Sequence, residues 1–164
     1  MARAAAFAPV VDPSVRVLVL GSLPGGESLR REQYYAHPRN AFWRLIGDVA
    51  GRELAALPYD DRLAALLDAR IGLWDVIASA ERAGSLDAAI RNPEHADLRS
   101  LVDGLPALRA VGFNGRTASK AGRRLLGASA GVALIDLPSS SPAHAGMTYA
   151  DKLAGWRALR PYLV

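Results

Sequence analysis

The chain has 164 residues, of which 51% are hydrophobic, and carries a formal net charge of +4 with a sequence pI ≈ 9.8. That length suits a single domain with a core of its own, and no apolar run reaches the roughly eighteen residues needed to cross a bilayer. With no cysteine, disulfides, thiolate nucleophiles and iron–sulfur clusters are excluded, and a cytoplasmic protein is expected.

The opening "MARAAAFAPVVDP" (1–13) reads as a loose N-terminal arm and not as a signal peptide. "VRVLVLG" (15–21) is a continuous β-branched and leucine run, as expected of a strand buried on both faces, and it ends in the turn-rich "GSLPGG". Next comes "QYYAHPRNAFW" (33–43), dense in aromatic and basic groups, which runs into a helix over 40–51 closed by Gly51. A second amphipathic helix over 60–69 leads to a strand at "IGLWDVI" (71–77). "SLDAAI" (85–90) and "HADLRSLVDG" (95–104) have the look of short helices. "LRAVGFN" (108–114) is a third strand, "GRTASKAGRRLLG" (115–127) a glycine-closed helix, and "GVALIDL" (131–137) a fourth strand. "PSSSPAHAGM" follows, then a last helix from Tyr149 to about Tyr162. Strands alternating with helices, without repeats or linkers, predict one domain over 1–164. Its fold would be a three-layer α/β/α sandwich around a mainly parallel four-stranded sheet.

In such sheets ligands bind beyond the carboxyl ends of the strands. Those ends are "GSLPGG", "DVIASAERAGS", "FNG" and "PSSSPAHA", so the most unusual segments converge on one sheet edge. The first loop lacks the lysine and hydroxyl ending of a P-loop and the spacing of a dinucleotide fingerprint. "SSSP" is not a nucleophile elbow, and His37, His95 and His144 lack metal-ligand spacing, so no metal or cofactor is expected. The remaining aromatics, amides, hydroxyls and backbone N–H groups suit a polar, planar, neutral ring. Only two of the twenty basic residues are lysine, and arginine excess is weak evidence for nucleic acid by itself. Placement says more: Arg116, Lys120, Arg123 and Arg124 share one predicted helix, and Arg30, Arg31 and Arg39 surround the aromatic stretch. That pattern fits either a phosphate footprint or a solvated helix face.

"GSLPGGESL", "QYYAHPRNAFW" and "LPSSSPAHA" together resemble the uracil-DNA glycosylase superfamily across nearly the whole chain. Mismatch-specific members carry a G-x-N-P-G loop, an aromatic-A-H-P-x-N-x-F-W segment and a later proline–serine motif. "GSLPG" with "YYAHPRNAFW" and "GLWDVI" is most similar to the hypoxanthine-DNA glycosylase branch. Where other branches place an asparagine or acidic residue in the first loop, this chain has Leu23, which can neither activate nor orient water. In the hypoxanthine branch the asparagine of the downstream H-P-x-N element takes over, which by position is Asn40.

The resemblance implies a monofunctional DNA glycosylase that hydrolyses the N-glycosidic bond of a deaminated base, hypoxanthine first and uracil as a second candidate, flipped out of double- or single-stranded DNA. The alternatives are a mismatch-specific uracil-DNA glycosylase or a non-catalytic binder of damaged DNA. Tyr35 would stack on the base, whereas Tyr34, Phe42 and Trp43 read as core. Asn40 reads as catalytic or as a cap of the helix at Ala41. Gly21, Ser22, Leu23 and Gly25 would supply backbone donors and shape the pocket. Asp75 reads as a base-edge ligand or a helix cap, and Asn114 as a base ligand or a turn residue. Arg39, Ser139, Ser140, Ser141, Pro142, Ala143 and His144 would meet the DNA, His144 reading equally as a surface histidine. No lysine is expected in the site, which disfavours an imine-forming lyase step. A monomer acting on DNA, with no membrane partner, is expected.

Overall fold

A computed structural model describes residues 3–128, 131–143 and 146–164. Among them the elements run β1 (Arg3–Ala5), β2 (Val17–Gly21), α1 (Gly26–Arg31), α2 (Phe42–Ala50), α3 (Tyr59–Asp68), β3 (Ile71–Asp75), β4 (Ile77–Arg82) and β5 (Ile90–His95). They continue α4 (Leu98–Asp103), β6 (Ala110–Asn114), α5 (Arg116–Leu126), β7 (Ala133–Leu137) and α6 (Tyr149–Trp156). The central sheet has the order β3-β2-β6-β7, with every neighbouring pair parallel. This is the three-layer α/β fold with a four-stranded parallel sheet that the pattern of strands and helices predicts.

The two-residue period of β2 divides the core. Leu18 and Leu20 face the layer built from α4 and α5, with Leu98, Val102, Ala118 and Ala121. Val17 and Val19 face the other layer, against Phe42, Leu45, Ile46 and Leu66 of α2 and α3 and Trp156 of α6. All four β2 side chains have 0% exposure, which is why this strand reads as an unbroken apolar run and not as an alternation. Burying each such side chain is worth about 1.5–3 kcal/mol. α5 lies so close to β6 that a Cβ on Gly122 would stand 2.8 Å from Cδ1 of Phe113. Only glycine allows that approach.

The structure departs from the expectations in three places. "IGLWDVI" is not one strand. It divides at Val76, with β3 in the parallel sheet and β4 crossing into a second, antiparallel sheet of order β1-β4-β5. The 85–90 segment contains only a 3-10 turn at Asp87–Ala89, after which "IRNPEH" pairs with β4 as β5. β5 is mostly exposed, contains Pro93 and has Asn92 at φ 49, so it carries no strand signature of its own. Proline is tolerated there because the strand is an edge. The segment read as a loose N-terminal arm is also tied down. β1 pairs antiparallel with β4, and Val10 exchanges backbone hydrogen bonds of 2.9 and 3.0 Å with Leu73. A smaller difference lies at the carboxyl end, where Pro161 and its neighbours adopt a 3-10 turn (Arg157–Tyr162) after α6. No helix of the described residues is long and apolar enough to cross a membrane.

Candidate active site

The carboxyl ends of β2, β3, β6 and β7 open into one cleft with a cavity volume of ≈ 580 Å³. Gly21, Ser22, Leu23, Gly25, Tyr35, Arg39, Asn40, Asp75, Asn114 and the loop from Ser139 to Ala143 all line it. These are all the sequence-derived candidates except His144, which lies outside the described residues. What makes them converge is the parallel sheet, which sends every strand's exit loop to the same edge.

Tyr35 is the centre of the aromatic stretch, and its backbone is forced. It has φ 55, a left-handed conformation uncommon for a bulky side chain and one that costs of order 1–3 kcal/mol. Both neighbours are clamped. The Tyr34 N–H donates to the Tyr59 hydroxyl at 2.9 Å, the Tyr34 carbonyl accepts from the Trp43 indole at 3.1 Å, and the Ala36 N–H donates to Ser28 Oγ at 3.1 Å. The Tyr34 hydroxyl donates to the carbonyl of Ala8. Tyr34, Phe42 and Trp43 are buried core, as their spacing predicts. Phe42 also stacks on Tyr35, with centroids 3.9 Å apart and planes inclined by 12°, so it backs the tyrosine ring that lines the cleft. The aromatic stretch 33–43 therefore contributes both to the core and to the cleft wall, divided residue by residue.

Asn40 enters the cleft at the start of α2. The N-cap of α2 is Ala41, one residue later than the cap reading placed it, but Asn40 Oδ1 still accepts the N–H of Phe42, the first residue of the helix, at 3.0 Å. Because a backbone N–H must meet an oxygen, the amide orientation is fixed and the NH₂ remains for a ligand. Nearby, His37 Nδ1 accepts the N–H of Arg39 at 3.1 Å, which places a neutral imidazole's proton on Nε2. The serine loop is pinned to the sheet. Asn114 Nδ2 donates to Ser140 Oγ and Asn114 Oδ1 accepts from the Ser140 N–H, both at 2.9 Å, and the Ser140 carbonyl accepts from Ala41 N–H at 3.0 Å. Asn114 is thus no mere turn residue; it ties the exits of β6 and β7 to the start of α2.

Asp75 ends β3 opposite Gly21, and no helix follows it, so the cap alternative for this residue falls. It is 4% exposed, and its Oδ2 is buried without a hydrogen-bond partner; the Tyr35 hydroxyl is also buried, with the Asn114 side chain near it but no bond of good geometry. A Cβ on Gly21 would stand 2.7 Å from Asp75 Oδ1 and 2.7 Å from the Tyr35 oxygen, so only glycine leaves room for the two groups to converge. Burial, with help from the Asp87 carboxylate and against the pull of Arg82, pushes the Asp75 carboxyl up to about 7. Burial and the neighbouring Asp75 hold the Tyr35 phenol well above the ordinary tyrosine range.

Sequence reasoning placed the segment up to Ser85 at the sheet edge but missed the wall that the second sheet builds from it and its continuation. Ser85, Leu86 and Asp87 line the cleft, with Ser85 Oγ accepting from Gly26 N–H at 2.9 Å and Asp87 Oδ1 accepting from Ser22 Oγ at 2.7 Å. No local signal marks them, since they arrive through the β4–β5 pairing. His37, Arg116 and Thr117 also border the cleft. Of the basic residues, Arg30 and Arg31 pair with Glu27, and Arg123 with Asp136, whereas Arg39 and Arg116 stand at the rim. Lys152 is buried behind the serine loop, its Nζ donating to the Ser141 carbonyl at 3.3 Å, and is not among the residues that line the cleft. Among the described residues no group of acidic or histidine side chains could hold a metal ion.

Comparisons with known proteins agree with this geometry. A family model described as the uracil DNA glycosylase superfamily matches residues 8–160. A hypoxanthine DNA glycosylase of Methanosarcina acetivorans is 43% identical over 138 residues, covering 84% of this chain and 86% of its own. One from Methanosarcina barkeri is 46% identical over 110 residues, covering 67% and 70%. A solution NMR structure from Methanosarcina acetivorans, described as a candidate uracil DNA glycosylase, superposes with a TM-score of 0.87 at 38% identity and 99% coverage of both chains.

Proposed function

The chain belongs to the uracil DNA glycosylase superfamily and is a DNA glycosylase, and from that premise we propose that it acts on deaminated bases and that the base it removes is hypoxanthine. The observation that carries this choice is the first loop. Leu23 is 7% exposed and packs into the core, and the Ser22 hydroxyl is committed to Asp87, so that loop offers a ring mainly its backbone and apolar surface. Polar recognition then falls to Asn40, whose amide NH₂ is left over, and to Asp75 and Tyr35, which line the cleft beside Gly21.

The flipped nucleotide enters the cleft and its base stacks on Tyr35, supported from behind by Phe42. Such a stack is worth about 1–3 kcal/mol. As the glycosidic bond lengthens, the sugar gains oxocarbenium character. Asn40, an amide without useful basicity, acts by position: it holds the attacking water or the base rather than taking a proton. Backbone N–H groups of the Gly21–Gly25 loop face the leaving base. Asn114 holds the serine loop so that Ser139, Ser141, Pro142 and Ala143 meet the DNA backbone beside Arg39 and the added Arg116. The product is an abasic site, and the protein acts as a monomer.

Incubation of the purified protein with duplexes containing deoxyinosine, deoxyuridine or normal bases, followed by alkali, tests the assignment. Strand scission at deoxyinosine is expected. Scission at deoxyuridine opposite every base, with deoxyinosine untouched, would place the chain in another branch.

A further inference from the structure

We propose that Asp75 is the acid that protonates the departing purine, an inference that rests on the hypoxanthine reading above. The argument begins with what surrounds the carboxyl. It lines the cleft at the end of β3, is nearly inaccessible, and has one oxygen enclosed without a partner. A buried carboxylate normally collects hydrogen bonds or a cation, since leaving its charge unpaired is costly. No described residue forms a salt bridge with Asp75. The groups facing it explain why ionisation is resisted. Asp87 adds negative charge from the β4–β5 connection, and Tyr34 and Tyr35 present phenols that burial keeps neutral. Arg82, on β4, is the opposing cation, but its Nε and Nη2 are committed to the Gly84 and Pro24 carbonyls, its Nη1 is buried without a partner, and it forms no salt bridge with Asp75, so its pull is outweighed by burial and Asp87. The result is a carboxyl poised near neutral pH that lines the same cleft as the Tyr35 ring.

Such a group has a use for a purine. Departure of hypoxanthine breaks the C1′–N9 bond and leaves the electron pair on the base. Transfer of the Asp75 proton to a nitrogen of the imidazole half lets the base leave neutral. Water then bonds to C1′, and its surplus proton passes to solvent or back to the Asp75 carboxylate, restoring the acid. The sum is hydrolysis, with no other reactant required. Gly21 belongs to the same device, because any side chain there would strike Asp75 Oδ1 and the Tyr35 oxygen.

The test is single-turnover release of hypoxanthine from a deoxyinosine duplex between pH 5.5 and 9, by wild type and Asp75→Asn. Binding is measured on the same preparations with a duplex carrying 2′-fluoro-2′-deoxyinosine, whose sugar resists cleavage. The wild-type rate should fall tenfold per pH unit above about 7. Asp75→Asn should lose on the order of 10²–10⁴-fold in rate and lose the alkaline limb, with binding nearly unchanged. If Asp75 only hydrogen-bonds a base edge, asparagine, which keeps a donor and an acceptor, restores the rate and the proposal is wrong. A wild-type rate that stays flat to pH 9 overturns it without any variant. A wild type that binds but never releases hypoxanthine, while excising uracil, refutes the substrate reading and the acid role together. Release with a flat profile refutes the acid role alone.

Discussion

Replacing Asp75 by asparagine should stabilise the protein at alkaline pH even as it slows the reaction. In the unfolded chain an aspartate titrates near 4; in the fold Asp75 titrates at about 7. Between those values the folded protein binds more protons than the unfolded one. Stability therefore falls as pH rises through that window and levels off above about 7. At about 1.4 kcal/mol per pH unit the full cost is about 4 kcal/mol, of which about 2–3 kcal/mol is incurred between pH 5 and 8. Asparagine fills the same space and has nothing to ionise. For a chain of this size a change of 1 kcal/mol moves Tm by about 2–4 °C. The Tm advantage of Asp75→Asn should thus grow by roughly 5–10 °C between pH 5 and pH 8. Thermal melts of both proteins in parallel buffers measure it, and because other groups titrate equally in both, only the difference matters. A difference that is constant with pH would refute the buried, proton-holding carboxyl. A difference that shrinks as pH rises would mean the fold stabilises the carboxylate instead.

The two halves of the aromatic stretch should fail differently. Tyr35→Ala should weaken lesion binding and excision together, whereas Asn40→Ala should reduce turnover by on the order of 10²–10³-fold with binding largely kept. Because Asn40 also accepts the Phe42 N–H, Asn40→Ala should in addition lose about 0.5–2 kcal/mol of stability. A variant that melts early but turns over normally while folded would reduce Asn40 to a cap. Gly122→Ala should destabilise by about 1–3 kcal/mol without altering the cleft, since its Cβ would press on Phe113 across the α5–β6 contact. An unchanged Tm would show that α5 can shift at no cost.

The sequence by itself determined the layered fold and the place of the cleft. "VRVLVLG" could only be a doubly buried strand, and alternation of such strands with helices leaves a parallel sheet whose exit loops share one edge. The residues of those loops are therefore legible as neighbours from the sequence alone. Local pattern could not reveal β5, whose exposed, proline-containing sequence becomes a strand only because β4 supplies its hydrogen bonds. With β5 went the Ser85–Asp87 wall and the charge that bears on Asp75. Within "QYYAHPRNAFW" the sequence could divide stacking Tyr35 from core Tyr34, but not show how: clamps on either side hold Tyr35 at φ 55, a tertiary arrangement. Above all, the state of Asp75 is a tertiary property. A carboxyl's affinity for its proton depends on which water it loses and which charges it meets, and those were settled only when β3, β4 and the tyrosine loop closed around it.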